Sequence, residues 1–176
     1  MEEIVVGMGE ALWDVLPEGK KIGGAPANFA YHVSQFGLSS CGVSAVADDA
    51  LGNEIIDNFN IKGLNHLIER VPYPTGTVQV QIDQAGIPQY EIKENVAWDN
   101  IPYTARLEQL AERTKAICFG SLAQRTIVSR NTINRFLDAM PQDPDRLIVF
   151  DVNLRQGFYN KEILCNSMER CNILKI

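Results

Sequence analysis

Short apolar runs alternate with longer stretches of helical period along this 176-residue chain, and this alternation restricts the possible folds most strongly. Each apolar run has the length of one buried strand, and the stretches between the runs can form crossover helices. The sequence therefore predicts an α/β fold with a mostly parallel sheet and flanking helices. The predicted strands cover residues 4–8, 11–16, 42–47, 116–119, 147–152 and 172–176, and the predicted helices cover residues 25–36, 51–61, 105–113 and 128–140.

The segment 77–83 breaks this pattern, because apolar and polar residues alternate strictly along it. Such alternation is typical of a strand with one face in water, not of a strand between two helix layers. A turn at 84–86 and a return strand over 89–93 would complete a hairpin. We expect a small accessory sheet that acts as a lid or a homodimer surface, with a functionless hairpin as the alternative. Its strands would come from residues 11–22 and 76–99.

The charge balance argues against a nucleic-acid partner. Sixteen Lys and Arg residues stand against 22 Asp and Glu residues, so the net charge of −6 provides no broad positive field for a phosphate backbone. The four cysteines form no Cys-x-x-Cys pair and the two histidines stand apart from them, which argues against a metal site. No leader peptide and no apolar run of 18 residues is present, so we expect a cytoplasmic protein without a membrane partner.

Polar residues follow the predicted strands at their carboxyl ends. In an open parallel sheet these ends meet the helix N-termini at one crevice, where ligands bind. Carboxylates, amides and one arginine suit a polyol, because sugar hydroxyls both donate and accept hydrogen bonds. The polar residues expected at this edge are Glu10, Asp14, Asp48, Asp49, Ser121, Asp151, Asn153 and Arg155.

The glycine pair Gly23-Gly24 stands directly before the predicted helix 25–36. Two residues without a Cβ let the main chain approach a ligand closely, and the free N–H groups of the following helix point into the same space. Asn28, in the first turn of this helix, adds an amide. A plain tight turn is the alternative explanation for the two glycines.

The segment Gly23-Gly24-Ala25-Pro26-Ala27-Asn28-Phe29-Ala30, with Gly37 and Val46-Ala47-Asp48-Asp49-Ala50-Leu51-Gly52, resembles the N-terminal signature of ribokinase-like (PfkB) carbohydrate kinases, and most closely that of fructokinases. Further matches are Gly9-Glu10 with Asp14, the triplet Ala97-Trp98-Asp99, and Asp151-Val152-Asn153-Leu154-Arg155. The resemblance runs from Ile4 to Ile176. It implies a partial ribokinase-like domain over residues 1–176, with ATP and Mg²⁺ as cofactors.

The resemblance also implies roles for individual residues. Asp14 and Asn28 would bind sugar hydroxyls, Gly23 and Gly24 would present backbone to the sugar, and Tyr90 and Trp98 would belong to a lid over it. Asn153 and Arg155 would face the sugar or the transferred phosphoryl group. Arg155 is the candidate catalytic residue, because a planar guanidinium can bridge two phosphoryl oxygens. An ordinary surface ion pair is the alternative role for this arginine.

The family's catalytic base is an aspartate in a Gly-Ala-Gly-Asp motif, and no such motif occurs in this sequence. The family's Asn-x-x-Glu motif is also absent, so we assign no catalytic base. Family members are longer, and their nucleotide site would follow Ile176. We therefore expect this chain to be inactive by itself. We also expect it to aggregate through the uncovered apolar residues Ile173, Leu174 and Ile176.

The favoured function is ATP-dependent phosphorylation of a hydroxyl on a free monosaccharide, with fructose as the favoured sugar. In this hypothesis the chain supplies the sugar-binding half of the kinase. One alternative is a non-catalytic sugar-binding or regulatory module of the same fold. The other is a related nucleoside kinase.

Overall fold

The computed structural model describes residues 3–82 and 88–176. The strands are β1 Ile4–Met8, β2 Leu12–Leu16, β3 Gly19–Gly23, β4 Ser40–Val46, β5 His66–Arg70, β6 Thr77–Ile82, β7 Pro88–Ile92, β8 Thr114–Gly120, β9 Leu147–Asp151 and β10 Ile173–Lys175. The α-helices are α1 Ala25–Gln35, α2 Ala50–Ile61, α3 Ala105–Ala111, α4 Ile127–Ala139 and α5 Lys161–Arg170, and short 3₁₀ helices cover Ala97–Asn100 and Leu122–Gln124.

Six strands form the main sheet in the order β10-β9-β8-β1-β4-β5, and every neighbouring pair is parallel. Alternate residues of β1 face opposite helix layers. Val6 and Met8 are fully buried in a core cluster that includes residues of α3 and α4, whereas Gly7 faces α1. A Cβ at Gly7 would overlap the carbonyl group of Pro26, so the absent side chain lets α1 lie directly on the sheet. The predicted parallel sheet with flanking helices is confirmed.

A second sheet has four strands in the order β3-β2-β6-β7, with antiparallel outer pairs and a parallel central pair. Val78, Val80 and Ile92 from this sheet are buried and join the same core cluster as α3 and α4. The alternation along β6 thus predicts the correct element and its buried face, while the predicted turn at 84–86 lies outside the described residues. The sheet contains no part of the segment 97–100, which forms a buried 3₁₀ helix.

Two elements are not predicted from the pattern. The strand β5 and the helix α5 carry few fully buried side chains, since α5 buries only Ile163 and Ser167, and their sequences lack a clear apolar period. The strand β10 lies at one edge of the main sheet and leaves Ile173 and Leu174 about 40% exposed. Aggregation through this edge stays a prediction. None of the helices in the described part of the chain combines the length and hydropathy needed to cross a membrane.

Asp49 begins α2 and ties that helix to the segment that leads into β6. Its Oδ1 accepts hydrogen bonds from the N–H of Gly52 at 2.7 Å and from the hydroxyl of Thr75 at 2.7 Å, and its Oδ2 accepts the N–H of Thr75 at 3.1 Å. Burial by itself would raise the pKa of this carboxyl, but the hydrogen bonds from Thr75 and Gly52 together hold it below its usual value. Asp49 is therefore the N-cap residue of α2.

Replacing Asp49 with alanine should lower the free energy of unfolding by about 1–2 kcal/mol, because an N-cap bond and the link to Thr75 are both lost. Asp48→Ala is the matched control, since the Asp48 side chain is 87% exposed and pairs with Arg70 at 3.2 Å. That substitution should change stability by less than about 0.5 kcal/mol. Urea unfolding curves measure both values, and equal effects of the two substitutions would contradict the capping role.

Candidate functional site

A cavity of about 740 Å³ opens where the carboxyl end of the main sheet meets the second sheet. We call it the sheet-edge cavity, and its size is typical of a small-molecule site. Seven of the residues predicted from the sequence lie around it, although they come from four separate parts of the chain. They are Glu10, Asp14, Gly24, Asn28, Tyr90, Asn153 and Arg155.

Asp14 lies on β2, half-buried, where it pairs with Lys21 of β3 and Val78 of β6 in the backbone register. Burial raises the pKa of this carboxyl above its ordinary value. No residue in the described ranges 3–82 and 88–176 donates a hydrogen bond to the carboxylate, so both oxygens remain available to a ligand. Gly23 does not line the cavity, but a Cβ there would overlap Oδ2 of Asp14. Glycine at this position therefore leaves room for the Asp14 carboxylate.

Gly24 is the N-cap residue of α1 and has a φ of 110°, a conformation that favours glycine. A Cβ at Gly24 would also overlap the carbonyl group of Glu10, so the β1–β2 connection and the start of α1 touch through backbone atoms. Asn28 lies one turn into the helix, is exposed, and lines the cavity. The start of α1 thus reaches the cavity with the backbone of Gly24 and one side-chain amide. The expected free N–H groups are not found there, because Pro26 has no N–H and the N–H of Asn28 bonds to the carbonyl of Gly24.

Glu10 lies between β1 and β2, is only 3% exposed, and lines the cavity. Its Oε1 accepts a hydrogen bond from the N–H of Ala25 at 3.3 Å, which caps α1 from outside the helix. Burial raises the pKa of Glu10 to about 7, although the N–H groups of Glu10 and Ala25 act in the opposite direction. Asp151 adds to the rise and Arg155 opposes it. Near pH 7 the carboxyl group of Glu10 is therefore present in both its charged and its neutral form.

The loop between β9 and α5 brings Arg155 to the cavity. The guanidinium is exposed, and among the described residues it donates one hydrogen bond, from Nη1 to the carbonyl of Leu154 at 3.2 Å. Asn153 and Gln156, on either side, have φ values of 34° and 49°, which non-glycine residues adopt at a cost. Gln156 Nε2 donates to the carbonyl of Tyr90 at 2.7 Å. This bond joins the loop that carries Arg155 to strand β7.

The structure does not bring Trp98 to the cavity, contrary to the role implied by the resemblance. Its side chain is 1% exposed and packs in the main core, where the guanidinium carbon of Arg125 lies 4.0 Å from the ring centre. Phe158 covers the same guanidinium at 4.5 Å. Asp99, the next residue, is fully buried and accepts hydrogen bonds from Arg125 Nε and Nη2, both at 2.7 Å. Residues 97–99 are thus buried beneath the second sheet and contribute to packing there.

The remaining polar residues at the sheet edge are occupied by bonds within the protein. Asp151 is paired with Lys175 Nζ, at 2.9 Å from each carboxylate oxygen. Ser121 donates its hydroxyl hydrogen to the carbonyl of Val152 at 2.6 Å. Asp151 and Ser121 are therefore already bonded within the described part of the protein, whereas the Asp14 carboxylate in the cavity of Arg155 is not.

The residues present do not fit a complete magnesium–nucleotide site. Within residues 3–82 and 88–176 there is no group of three or more His, Cys, Asp or Glu side chains that could hold a metal ion. The sequence also contains no Gly-Ala-Gly-Asp motif. We therefore derive no chemical step through Mg²⁺ or ATP from this chain.

Part of the cavity wall was not predicted from the sequence. Glu10 follows a buried strand and was placed at the correct edge, but its deep burial has no sequence signal. Gln156 could not be identified, because its role depends on a loop conformation and a contact with a residue 66 positions away. The apolar residues that line the cavity could not be assigned to it from the sequence either, because they resemble ordinary core residues. They are Leu12, Val78, Ile92, Leu122 and Leu154.

Comparison with known proteins finds similarity to sugar kinases. The sequence is 30% identical over 172 residues to a protein of Pyrococcus horikoshii named "Putative sugar kinase PH1459", and the match covers 93% of the chain and 54% of that protein. It is 26% identical over 162 residues to the ATP-dependent 6-phosphofructokinase of Thermoanaerobacterium thermosaccharolyticum, covering 89% of the chain and 49% of that protein. The chain thus spans about half the length of these curated relatives. No protein-family model matches the sequence.

Solved structures give the same result for the fold. The crystal structure of PH1459 superimposes with a TM-score of 0.82 at 27% identity, covering 97% of the chain and 64% of that structure, and PH1459 has also been solved in complex with ATP. The fructokinase of Vibrio cholerae shares the fold, with a TM-score of 0.83 at 19% identity over 99% of the chain and 63% of that structure. In both sequence and fold, the chain is similar to sugar kinases, PH1459 among them.

Proposed function

We propose that this chain forms the sugar-binding part of an ATP-dependent kinase that phosphorylates a hydroxyl of a free monosaccharide, with fructose as the first candidate. The observation that carries the proposal is the meeting of Asp14, Gly24, Asn28 and Arg155 at one cavity. These residues lie far apart along the chain, and their chemistry matches a polyol. Homology to sugar kinases supports the reaction class.

Each residue has a distinct part in the proposed binding. The Asp14 carboxylate accepts hydrogen bonds from sugar hydroxyls, while the backbone at Gly24 and the Asn28 amide bind further hydroxyls. Tyr90, 58% exposed on β7, covers the sugar from the second sheet. Arg155 lies on the side where the loop after β9 opens, so it can contact the phosphoryl group that reaches the acceptor hydroxyl. These contacts hold the hydroxyl in line for transfer and exclude water from it.

The charge of the cavity favours an uncharged sugar over a sugar phosphate. Among the described residues that line it, Arg155 is the one cationic side chain, and the carboxyl groups of Glu10 and Asp14 lie opposite. A phosphate group already on the sugar would bring close to two negative charges into this space, with one guanidinium to balance them. A free monosaccharide avoids that cost. This is the reason for proposing fructose and not a phosphorylated fructose.

A phosphate-transfer assay tests the proposed function. The full-length gene product that contains this chain is incubated with ATP labelled on the γ-phosphate and with fructose, ribose or 2-keto-3-deoxygluconate in parallel reactions. We expect label to appear on fructose. Transfer to fructose 6-phosphate alone would contradict the substrate assignment, and the absence of transfer to any sugar would overturn the kinase proposal for this protein.

A second candidate function follows from the absence of a Gly-Ala-Gly-Asp motif in the sequence. A chain that keeps the cavity but lacks the family's catalytic base would bind sugar without phosphorylating it. Calorimetric titration with fructose distinguishes the two functions. Binding together with transfer supports the kinase, and binding without transfer supports a sugar-binding module.

We also propose a cytoplasmic location and an association of two chains through the second sheet. All four cysteines are free, which is usual in a reducing compartment. The strands β3 and β7 are the edges of the second sheet and could pair with a second copy.

A further inference from the structure

The buried carboxyl of Glu10 holds one polar atom that the protein itself leaves without a partner. Oε1 accepts the N–H of Ala25, but Oε2 is buried and has no hydrogen-bond partner among the described residues. An unpaired buried polar oxygen destabilises the protein, because it has lost its hydrogen bonds to water and gained none in return. The capping of α1 accounts for the position of Oε1 but gives no role to Oε2. Glu10 also lines the sheet-edge cavity.

Two carboxylates and two basic side chains carry the charges around Glu10. Asp14 on β2 lines the same cavity, and Asp151 at the end of β9 raises the energy of a charged Glu10, with its own carboxylate paired to Lys175 of β10. The favourable groups are Arg155 in the loop after β9 and the N-terminus of α1. On β8, the Cys118 thiol is also influenced by Glu10, and its pKa is raised to about 12, mainly by burial, so it stays neutral.

A ligand that fills the cavity would remove water from between Glu10 and these carboxylates. Removal of water strengthens repulsion between like charges and penalises the charged form of a buried acid. The neutral acid carries a hydrogen on one oxygen, and Oε1 is already the acceptor for Ala25. The hydrogen therefore belongs on Oε2, where it needs an acceptor, and a sugar hydroxyl oxygen can be that acceptor.

We propose that Glu10 is a ligand-binding residue of the sheet-edge cavity, whose protonated carboxyl donates a hydrogen bond from Oε2 to a hydroxyl oxygen of the sugar. This inference rests on the proposed sugar-binding function and adds a contact and a proton requirement to it. The proton comes from the solvent and returns to it when the sugar leaves.

The direction of the pH dependence follows from this form of binding. The pKa of Glu10 without ligand is about 7, so below pH 7 most molecules carry the binding-competent neutral acid. Above pH 7 the competent fraction falls tenfold per pH unit, and the apparent affinity falls with it. The dissociation constant for the sugar should therefore rise about tenfold between pH 6 and pH 8.

Calorimetric titration of the purified protein with fructose at pH 6 and pH 8 tests this inference. Repeating the pH 8 titration in two buffers with different heats of ionisation gives the number of protons taken up, expected to approach one per sugar bound. Glu10→Gln keeps an acceptor for Ala25 and a donor toward the cavity at every pH, so its dissociation constant should change less than about twofold between the two pH values. Glu112→Gln is the control, because Glu112 is exposed at the opposite edge of the sheet, and it should behave as the unaltered protein does.

The outcomes separate this inference from the proposed function. If the unaltered protein binds no sugar at either pH, the proposed function fails. If it binds fructose with no proton uptake, or if Glu10→Gln retains the full pH dependence, sugar binding stands and the role of Glu10 is wrong. A lower melting temperature for Glu10→Gln with an unaltered pH profile would show that Glu10 only caps α1.

Discussion

Replacing Arg125 with alanine is expected to lower the free energy of unfolding by about 3–5 kcal/mol, because it leaves the buried carboxylate of Asp99 without a counter-charge. Asp99 is fully buried, and the Arg125 side chain is only 5% exposed. Two hydrogen bonds of 2.7 Å join them, and Arg125 also donates to the carbonyl of Lys93 at 2.6 Å. The substitution further removes the guanidinium from between Trp98 and Phe158. Urea unfolding followed by circular dichroism measures the loss.

Arg170→Ala is the matched control for this prediction. Arg170 also pairs with an aspartate, but its partner Asp138 is 68% exposed. Exposed pairs contribute about 0–1 kcal/mol, so the control should lose far less stability. A loss below about 1 kcal/mol for Arg125→Ala, or equal losses for both variants, would show that the buried pair does not stabilise the fold.

Replacing Asp14 with alanine is expected to weaken fructose binding by about 100-fold or more. Hydrogen bonds to a charged group contribute about 1.5–3 kcal/mol each, and two hydroxyls can donate to one carboxylate. The fold should be little affected, because no described residue bonds to the Asp14 carboxylate. The strand β2 is held by backbone pairing with β3 and β6, which the substitution keeps. Calorimetric titration measures the affinity, and thermal unfolding checks the fold.

Asp57→Ala provides the comparison, because Asp57 is exposed on α2 and does not line the cavity. It should bind fructose as the unaltered protein does. Tight fructose binding by Asp14→Ala, within about threefold of the control, would mean that the sugar binds without this carboxylate. The assignment of the cavity as the sugar site would then be lost.

The main sheet could be predicted because buried parallel strands appear in the sequence as short, continuous apolar runs. The run Ile4–Met8 and the strand over Leu147–Asp151 are short and apolar, and their order between helices dictates parallel pairing. Strand β5 shows where this fails. His66–Arg70 lies at the sheet edge and is held by pairing with β4, so its sequence needs no apolar run.

The candidate site could be predicted only in part. Asp14 and Arg155 follow β1 and β9 of the main sheet along the chain, and the carboxyl ends of parallel strands lie at one edge, so their meeting follows from topology. Trp98 could not be placed in the same way, because a tryptophan in a lid and a tryptophan in the core have the same sequence context. Its burial against Arg125 depends on a contact with a residue 27 positions away, which the residue pattern does not encode.

The unpaired oxygen of Glu10 is the clearest example of what the sequence leaves open. Its position after β1 is visible in the sequence, but its burial depends on the close approach of Gly24 to the Glu10 backbone. That approach needs both a glycine and the positive φ that begins α1. Local backbone geometry therefore decides whether this carboxyl is a solvated surface group or a buried acid.

A crystal structure of the protein with fructose bound tests the central claim most directly. We expect one sugar molecule in the sheet-edge cavity, with its hydroxyls within hydrogen-bond distance of the Asp14 carboxylate and the Asn28 amide, and with Arg155 facing the same molecule. A fructose molecule bound elsewhere, or one that touches neither Asp14 nor Arg155, would contradict the proposal that these distant parts of the chain build one sugar site.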